Sequence, residues 1–236
     1  MKRLLVPLLC VSVLHANVEL INNGKGHDWR KSVFSYIYNS KHWFDGESLS
    51  GPGSSLSSTS TVSVLLPSVL KALGVRTMID AGCGDFNWMK TIVHHLDLDF
   101  YLGVDIVQSV IEENQSRYGS EKLFFMNLDL VDDPLPQMDV IMCRDVLAHL
   151  SYEDIYAVLH NFKKSGATYL LISSYSGLKD NNIEMISGNF RPVNFQAKPF
   201  YFPEPLMSFF ELASEEKMVK AGKRFCVWRI ADLPLE

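Results

Sequence analysis

The chain has 236 residues, and 47% of them are apolar, which is enough for a sizeable core in one α/β domain or in one domain with additions. A formal net charge of -5 disfavours wholesale electrostatic attraction to nucleic acid or to an anionic membrane. The sequence contains no internal repeat and no long low-complexity tract, apart from a Ser/Gly-rich stretch at 48–63.

Residues 1–16 are typical of a secretory signal peptide. Lys2 and Arg3 precede an apolar run of 11 residues, which is too short to span a membrane, and Ala16 would precede the cut. A buried or amphipathic N-terminal helix is the alternative. Cleavage would leave 20 basic and 27 acidic residues, a net charge of -7. It would also leave three cysteines, whose odd number and spacing indicate neither a disulfide framework nor a metal site.

The first predicted element is a helix over 28–40, because its apolar residues recur on one side. The Ser/Gly-rich stretch then forms a loop. A second helix over 60–74 is closed by Gly74, and Pro67 should kink this helix or mark its true start.

From residue 76 onward, predicted strands and helices alternate. The strands lie at 76–81, 99–105, 122–129, 138–145 and 167–175, and the helices lie at 86–96, 106–119 and 151–166. Ser151 is the expected N-cap of the last helix. Two more strands, 207–213 and 223–230, are joined by a short Lys/Glu-rich turn, which favours an antiparallel pair. The alternation predicts a parallel sheet covered on both faces, with its ligand site at the carboxyl ends of the strands.

A glycine-containing turn follows the first strand of this alternation. Gly82 and Gly84 would let a ligand lie against bare backbone, and Asp80 and Asp85 flank them. Asn87 replaces the third glycine of the dinucleotide fingerprint, and the two acids would repel a pyrophosphate. S-adenosylmethionine has no phosphate, and its sulfonium and α-amino group suit these acids. Asp85 could instead cap the following helix.

Acidic residues also end the next three strands, at Asp105, Asp129 and Asp145. Asp105 suits a ribose diol, because one carboxylate can accept hydrogen bonds from two adjacent hydroxyls. Asp129 with Leu130 would fix an adenine amino group beside an apolar wall. Each of these acids could also be a turn former or a helix N-cap.

These segments resemble the motifs of class I S-adenosylmethionine-dependent methyltransferases. "IDAGCGDFNW" is similar to the first motif, "YLGVDI" to the second, "MNLDL" to the adenine-contact motif and "RDVLAHLS" to the segment after the fourth strand. With "ESLSGPGSS" and "GNFRPVNF", they resemble a little-characterised bacterial methyltransferase-domain group over roughly residues 40–230. Phe86 departs from the pattern, since many members have a third glycine there.

The resemblance implies a Rossmann-like, seven-stranded, mostly parallel sheet with helices on both faces and a C-terminal antiparallel hairpin. The implied domain organisation is a signal peptide at 1–16, an N-terminal helix and Ser/Gly-rich lid segment at 17–59, and a methyltransferase domain at 60–236. S-adenosyl-L-methionine is the implied cofactor. The residues expected to bind it are Asp80, Gly82, Gly84, Asp85, Trp88, Asp105, Ile106, Asp129, Leu130 and Arg144.

Methyl transfer is an in-line displacement that needs alignment of the reactants, exclusion of water and often a base. His149 is the first candidate base, since it lies just beyond the fourth strand and is largely neutral at pH 7. Asp145 competes for this role. His149 could instead pack beside the helix at Ser151, and Asp145 could anchor the loop or the cofactor's amino end.

Two further residues are predicted to face the acceptor. Trp43 lies in the long polar segment that could act as a lid, where it would cover the cofactor or simply pack against the next helix. Arg191 lies among aromatic residues, where it could bind a carboxylate or phosphate, stack on a ring or form a structural ion pair. No metal site is predicted.

The predicted function is methyl transfer to an unidentified acceptor, either a small molecule or a sugar. A cofactor-binding module without catalysis and a nicotinamide oxidoreductase are the alternatives. Nucleic-acid methylation is disfavoured by the acidic charge and by the lack of an Asn/Asp-Pro-Pro-aromatic motif. A stable membrane span is not expected, and the sequence leaves the oligomeric state open.

The predicted signal peptide and the predicted cofactor point to different compartments. The signal predicts export or secretion, whereas S-adenosylmethionine is made in the cytosol. Delivery into another cell's cytosol, or a signal-like segment that is never cut, would remove this conflict.

Overall fold

The computed structural model describes residues 24–181, 183–211 and 221–235, so the predicted signal peptide at 1–16 lies outside the described residues. The helices of this part of the chain are α1 (His27–Asn39), α2 (Ser60–Leu73), α3 (Met89–Ile92), α4 (Gln108–Tyr118) and α5 (Tyr152–Lys164). The strands are β1 (Thr77–Ala81), β2 (Phe100–Asp105), β3 (Leu123–Asn127), β4 (Val140–Cys143), β5 (Tyr169–Tyr175), β6 (Met207–Phe210) and β7 (Lys223–Arg229). None of these helices is long and apolar enough to cross a membrane.

The seven strands form one sheet in the order β3-β2-β1-β4-β5-β7-β6. Strands β1 to β5 pair in parallel, whereas β7 runs antiparallel to both β5 and β6. The predicted Rossmann-like sheet with a C-terminal antiparallel hairpin is therefore confirmed. The strand order reverses between β1 and β4, and such a switch point opens a crevice at the carboxyl ends of the strands.

Both faces of the sheet are buried at its central strands β2, β1, β4 and β5. Successive side chains of a strand point to opposite faces, so Ile79 and Met78 of β1 belong to different apolar clusters. Helix α5 covers the face of Ile79, with Val158 and Phe162 fully buried there. Helices α2, α3 and α4 cover the face of Met78.

Helix boundaries follow local chemistry in two places. Gly74 ends α2 in the left-handed conformation at φ 67°, and Pro67 lies inside that helix, so it does not mark the helix start. The Ser151 hydroxyl accepts the backbone N–H of Asp154 at 3.1 Å, which confirms Ser151 as the N-cap of α5.

The helix predicted over 86–96 is shorter than expected. Its α-helical part, α3, covers only four residues, and a 3-10 turn follows it at Val93–His95. Phe86 has a φ of 57° and is fully buried against Tyr101 and Phe125. A right-handed helix cannot pass through a residue in that conformation. The turn after β1 is longer as a result, and Asp85 does not cap the helix.

Candidate cofactor and acceptor site

One cavity of about 380 Å³ opens at the carboxyl ends of the parallel strands, where a small-molecule site is expected. Most of the residues predicted for the site line this cavity. They are Trp43, Gly82, Gly84, Asp105, Ile106, Asp129, Leu130, Arg144, Asp145 and His149. Four predicted residues are not among its lining: Asp80, Asp85, Trp88 and Arg191.

The turn after β1 requires glycine at two positions. Gly82 and Gly84 have φ values of 80° and 53°. A Cβ on Gly82 would lie 2.2 Å from Cγ2 of Val146, and a Cβ on Gly84 would lie 2.1 Å from Oγ of Ser50. The bare backbone of this turn is therefore enclosed between the loop after β4 and the segment that precedes α2.

Asp105 ends β2 at the edge of the cavity. Its Oδ2 accepts the backbone N–H of Gly84 at 3.1 Å, and its Oδ1 accepts that of Val107 at 3.0 Å. Burial raises the pKa of Asp105 above its usual value. A carboxylate has about four lone-pair sites, so capacity remains for a hydroxyl donor from a ligand.

Asp129 is already paired, which the sequence did not indicate. Its carboxylate accepts Nη2 of Arg30 at 2.8 Å and Nδ1 of His27 at 2.9 Å, and both Arg30 and Asp129 are almost fully buried. Arg30 also binds Asp132 and Asp154. Although His27, Asp129 and Asp132 have ligand atoms within 4.8 Å of one another, both carboxylates of this cluster already form ion pairs with Arg30. An adenine contact through the Asp129 carboxylate stays a prediction, and it would have to share the group with Arg30.

Asp80 and Trp88 lie behind the cavity wall. Asp80 is buried within β1 and accepts the Tyr101 hydroxyl at 2.5 Å, and its burial raises its pKa to about 7. Trp88 is buried at the start of α3, with the guanidinium carbon of Arg144 5.7 Å from the centroid of its ring.

Asp85 holds the segment that runs over the site. We call residues 43–58 the lid segment. The Asp85 carboxylate accepts the Ser48 hydroxyl at 3.0 Å, the Leu49 backbone N–H at 2.6 Å and the Ser50 hydroxyl at 3.1 Å. Its own backbone N–H donates to the Ser50 hydroxyl at 3.0 Å. Asp85 thus binds the lid segment, in a position where the sequence predicted a contact with the cofactor.

Two more side chains hold the lid segment. Asn87 donates to the Glu47 carboxylate at 2.7 Å and to the Ser54 carbonyl at 3.1 Å. Arg144 donates to the Gly53 carbonyl at 2.8 Å. Asn87, which stands at the third glycine position of the dinucleotide fingerprint, therefore anchors the lid segment.

A buried network of four charges lies at the ends of β4, β6 and β7. Arg144 donates to Glu211 at 2.5 Å, and Lys223 pairs with Asp145 at 2.5 Å. Arg144 also lies 3.3 Å from Asp145. Burial alone would raise the pKa of Asp145, but Lys223 and Arg144 overcome that effect and hold this pKa well below its usual range. A carboxylate so stabilised in its charged form is a weak base, which disfavours Asp145 as the proton acceptor.

His149 lies in an arrangement that suits a base. Its Nδ1 is 2.8 Å from the Asn189 carbonyl, which can only accept, so Nδ1 carries the proton and Nε2 has the lone pair of the neutral ring. The imidazole centroid lies 4.4 Å from that of Trp43 and 5.3 Å from that of Phe190. Burial lowers the pKa of His149, although the hydrogen bond to Asn189 acts in the opposite direction.

The structure does not bring Arg191 to the cavity. Its side chain is almost fully buried, donates to the Leu150 carbonyl at 2.7 Å and lies 4.0 Å from the ring centroid of Tyr152. Its Nε and Nη2 have no hydrogen-bond partner among the described residues. Through these contacts, Arg191 connects the 187–195 segment to the loop after β4 and has a structural role.

Helix α1 and strand β7 supply cavity residues that the sequence analysis did not assign. Arg30, Phe34, Ile37 and Tyr38 come from α1, and Lys223 comes from β7. The apolar face of α1 could have indicated this role, because an amphipathic helix buries its apolar face against another part of the protein. The pairing of Arg30 with Asp129 had no signal, since the two residues are 99 positions apart.

Residues 79–166 match a family model described as a methyltransferase domain. No curated protein matches the chain. Solved structures with similar folds include the N-methyltransferase NodS from Bradyrhizobium japonicum WM9 with S-adenosylhomocysteine, at 13% identity and a TM-score of 0.57, covering 87% of this chain and 98% of that one. Another is the 1,6-didemethyltoxoflavin-N1-methyltransferase of Burkholderia thailandensis, at 15% identity and a TM-score of 0.56, covering 97% of this chain and 92% of that one. The methyltransferase domain of bacterial CtHen1 is similar at 16% identity and a TM-score of 0.53, covering 72% of this chain and 98% of that one.

The family match covers residues 79–166, and the solved structures show that the fold is similar to that of known methyltransferases. Residues 79–166 therefore resemble a methyltransferase domain, and they lie within a sheet of the order given above. The comparisons do not identify the methyl acceptor.

Proposed function

We propose that the protein transfers the methyl group of S-adenosylmethionine to an N–H or O–H group of a small-molecule acceptor. The observation that carries this proposal is the sharing of one cavity by the glycine turn, Asp105 and the oriented imidazole of His149. The first two suit a nucleoside cofactor, and the third suits removal of a proton from an acceptor.

The cofactor half of the cavity fits S-adenosylmethionine better than a dinucleotide. Asp105 has lone pairs free for a ribose diol, and Ile106, Val107 and Leu130 offer an apolar wall for adenine. A pyrophosphate would meet the Asp105 carboxylate, and Asn87 is already committed to the lid segment. The Asp105 carboxylate in this half of the cavity favours a cofactor with cationic groups over one with phosphates.

When bound, S-adenosylmethionine supplies an electrophilic methyl group, and its sulfur leaves as a neutral thioether. The chain then has three tasks. The lid segment, held by Asp85 and Asn87, keeps water from the cavity. Apolar walls orient the acceptor. Nε2 of His149 takes the proton of the attacking N–H or O–H group and becomes the imidazolium.

Calorimetry with the purified protein tests the cofactor, using S-adenosylhomocysteine and NAD as the two ligands. We expect S-adenosylhomocysteine to bind and NAD to give no response. Incubation of small-molecule extracts with isotope-labelled S-adenosylmethionine should then give a product heavier by one labelled methyl group. NAD binding without a response to the adenosyl ligand would refute the proposal.

A further inference from the structure

We infer that the acceptor is a neutral, flat aromatic or heteroaromatic ring that carries an N–H or O–H group. This inference rests on the proposed methyl transfer, because it concerns the second half of the same cavity. It narrows the acceptor from any small molecule or sugar to one chemical class.

The cavity divides into two halves according to the strands that border it. The glycine turn, Asp105 and Leu130 follow β1, β2 and β3 and form the cofactor half. The other half lies at the ends of β4, β5 and β7, and we call it the acceptor half. Its lining residues are Trp43, Asp145, His149, Tyr175, Phe190 and Lys223.

The acceptor half has no surplus charge among its described residues. Lys223 is paired with Asp145 at 2.5 Å, and Arg144 behind them is paired with Glu211 at 2.5 Å. An acceptor with a phosphate or carboxylate would bring a further negative charge to a network in which two cations already balance two carboxylates, which is unfavourable in a buried site. A neutral acceptor leaves both pairs intact.

The wall of the acceptor half is a row of rings. Phe190, His149 and Trp43 follow one another with centroid separations of 5.3 Å and 4.4 Å, and Phe34 lies 6.3 Å beyond Trp43. Such a wall favours the faces and edges of another flat ring. A sugar would bring several hydroxyls against it, and burying a hydroxyl without a hydrogen-bond partner is costly.

One atom of this half is oriented to accept a hydrogen bond. It is Nε2 of His149, because Nδ1 of that ring carries the proton. This atom calls for a donor on the ligand and does not suit a ligand that offers only acceptors. The acceptor ring should therefore carry an N–H or O–H group on one edge.

The transfer step then balances without another reactant. The ring nitrogen or oxygen forms a bond to the methyl carbon while the carbon–sulfur bond breaks. The sulfonium becomes a neutral thioether, and the ring's proton goes to Nε2 of His149. The methylated ring stays neutral, and it has lost the donor that held it at the base.

The test uses the full-length protein saturated with S-adenosylhomocysteine and four probes of known chemistry. 2-Naphthol is flat and neutral and has one O–H, 2-decalol has the same skeleton without flatness, 2-naphthoate is flat but anionic, and methyl glucoside is polyhydroxylated. Calorimetry should show 2-naphthol binding about tenfold tighter than each of the others. Replacing Phe190 by Leu should weaken 2-naphthol several-fold and leave S-adenosylhomocysteine affinity unchanged. Phe210→Leu is the matched control, since Phe210 is exposed on β6 and does not line the cavity.

The outcomes separate this inference from the function on which it rests. If S-adenosylhomocysteine does not bind, the proposed methyl transfer fails, and the inference fails with it. If it binds but the naphthoate, the decalol or the glucoside binds as tightly as 2-naphthol, only the acceptor class is wrong. The same holds if none of the four probes binds, or if Phe190→Leu and Phe210→Leu have equal effects.

Discussion

His149 and Asp145 are close in the chain but differ in what they can do with a proton. Asp145 is held in its charged form by Lys223, whereas His149 is neutral and has Nε2 free to accept. We expect His149→Ala to lower kcat by about two to four decades with little change in cofactor affinity. Because burial lowers the pKa of His149, the wild-type rate should rise with pH through a value below 6.5 and be flat above it. Steady-state kinetics with the acceptor found in the labelled-cofactor screen would measure both effects.

Asp145 supplies the comparison for His149. Asp145→Asn should keep the pH step of the rate, because the base is still present. A His149→Ala variant with normal kcat and a lower Tm would assign His149 to packing alone. Loss of the rate in Asp145→Asn, with the same pH profile in wild type and His149→Ala, would make Asp145 the base.

Asp105 should contribute strongly to the affinity for the cofactor. Removing its charge-assisted contact with the ribose diol should cost about 1.5–3 kcal/mol, or roughly one to two decades in S-adenosylhomocysteine affinity. Calorimetry on Asp105→Ala would measure this loss. Asp97→Ala is a suitable control, because Asp97 is exposed and pairs with Arg76 away from the cavity. Equal affinities in the two folded variants would remove Asp105 from the site.

Asp80 should make the stability of the ligand-free protein depend on pH. Its folded-state pKa of about 7 lies above the ordinary value near 3.9, so the folded state holds a proton that the unfolded state has lost between these values. The contribution of Asp80 to stability should therefore fall as the pH rises from about 4 to about 7, by at most about 4 kcal/mol. Asp80→Asn keeps an acceptor for Tyr101 but cannot ionise. Denaturant unfolding should show the variant to be more stable than wild type at pH 8 and similar at pH 4, and a constant difference would contradict this assignment.

Among the structural elements, the lid segment depends most on a single side chain. Asp85 accepts two serine hydroxyls and one backbone N–H of this segment. Asp85→Ala should lower the free energy of opening the lid by about 1.5–3 kcal/mol, so amide hydrogen exchange within residues 43–58 should speed up by roughly one to two decades. Exchange in β1 and β4 should not change, because their ladder hydrogen bonds are untouched. Uniformly faster exchange would mean that Asp85 supports the whole fold. Unchanged exchange in the lid segment would mean that Asp85 does not hold that segment closed.

The whole molecule should respond to the cofactor as one folded unit, because the cavity is lined by α1, the lid segment and loops from both halves of the sheet. A ligand that binds only the folded state at 100 times its Kd adds about 2.7 kcal/mol of stability. For a chain of this length, that corresponds to a rise in Tm of about 5–10 °C with S-adenosylhomocysteine. NAD at the same concentration is the control and should give no rise. A shift with NAD alone, or with neither ligand, would speak against the assigned cofactor.

Much of the architecture could be predicted from the sequence because it rests on local patterns. The alternation of apolar strands with helices, the glycine turn at Gly82 and Gly84, and the Ser151 cap are properties of neighbouring residues. In a parallel sheet the carboxyl ends of the strands share one edge, so Asp105 and His149 could be placed at one site without coordinates.

Only the tertiary structure decided which of these side chains face the ligand and which are already paired. Arg30 forms an ion pair with Asp129, which is 99 positions away in the chain, and Lys223 forms one with Asp145, which is 78 positions away. Asp80 and Arg191 fit the site by type, but packing places them outside the cavity lining. Pairing and burial depend on contacts between distant segments, and those contacts set the pKa and the free hydrogen-bonding atoms of each group. The pattern of residue types was therefore enough to locate the site, whereas the chemical role of each residue in it depends on contacts that only the folded structure brings together.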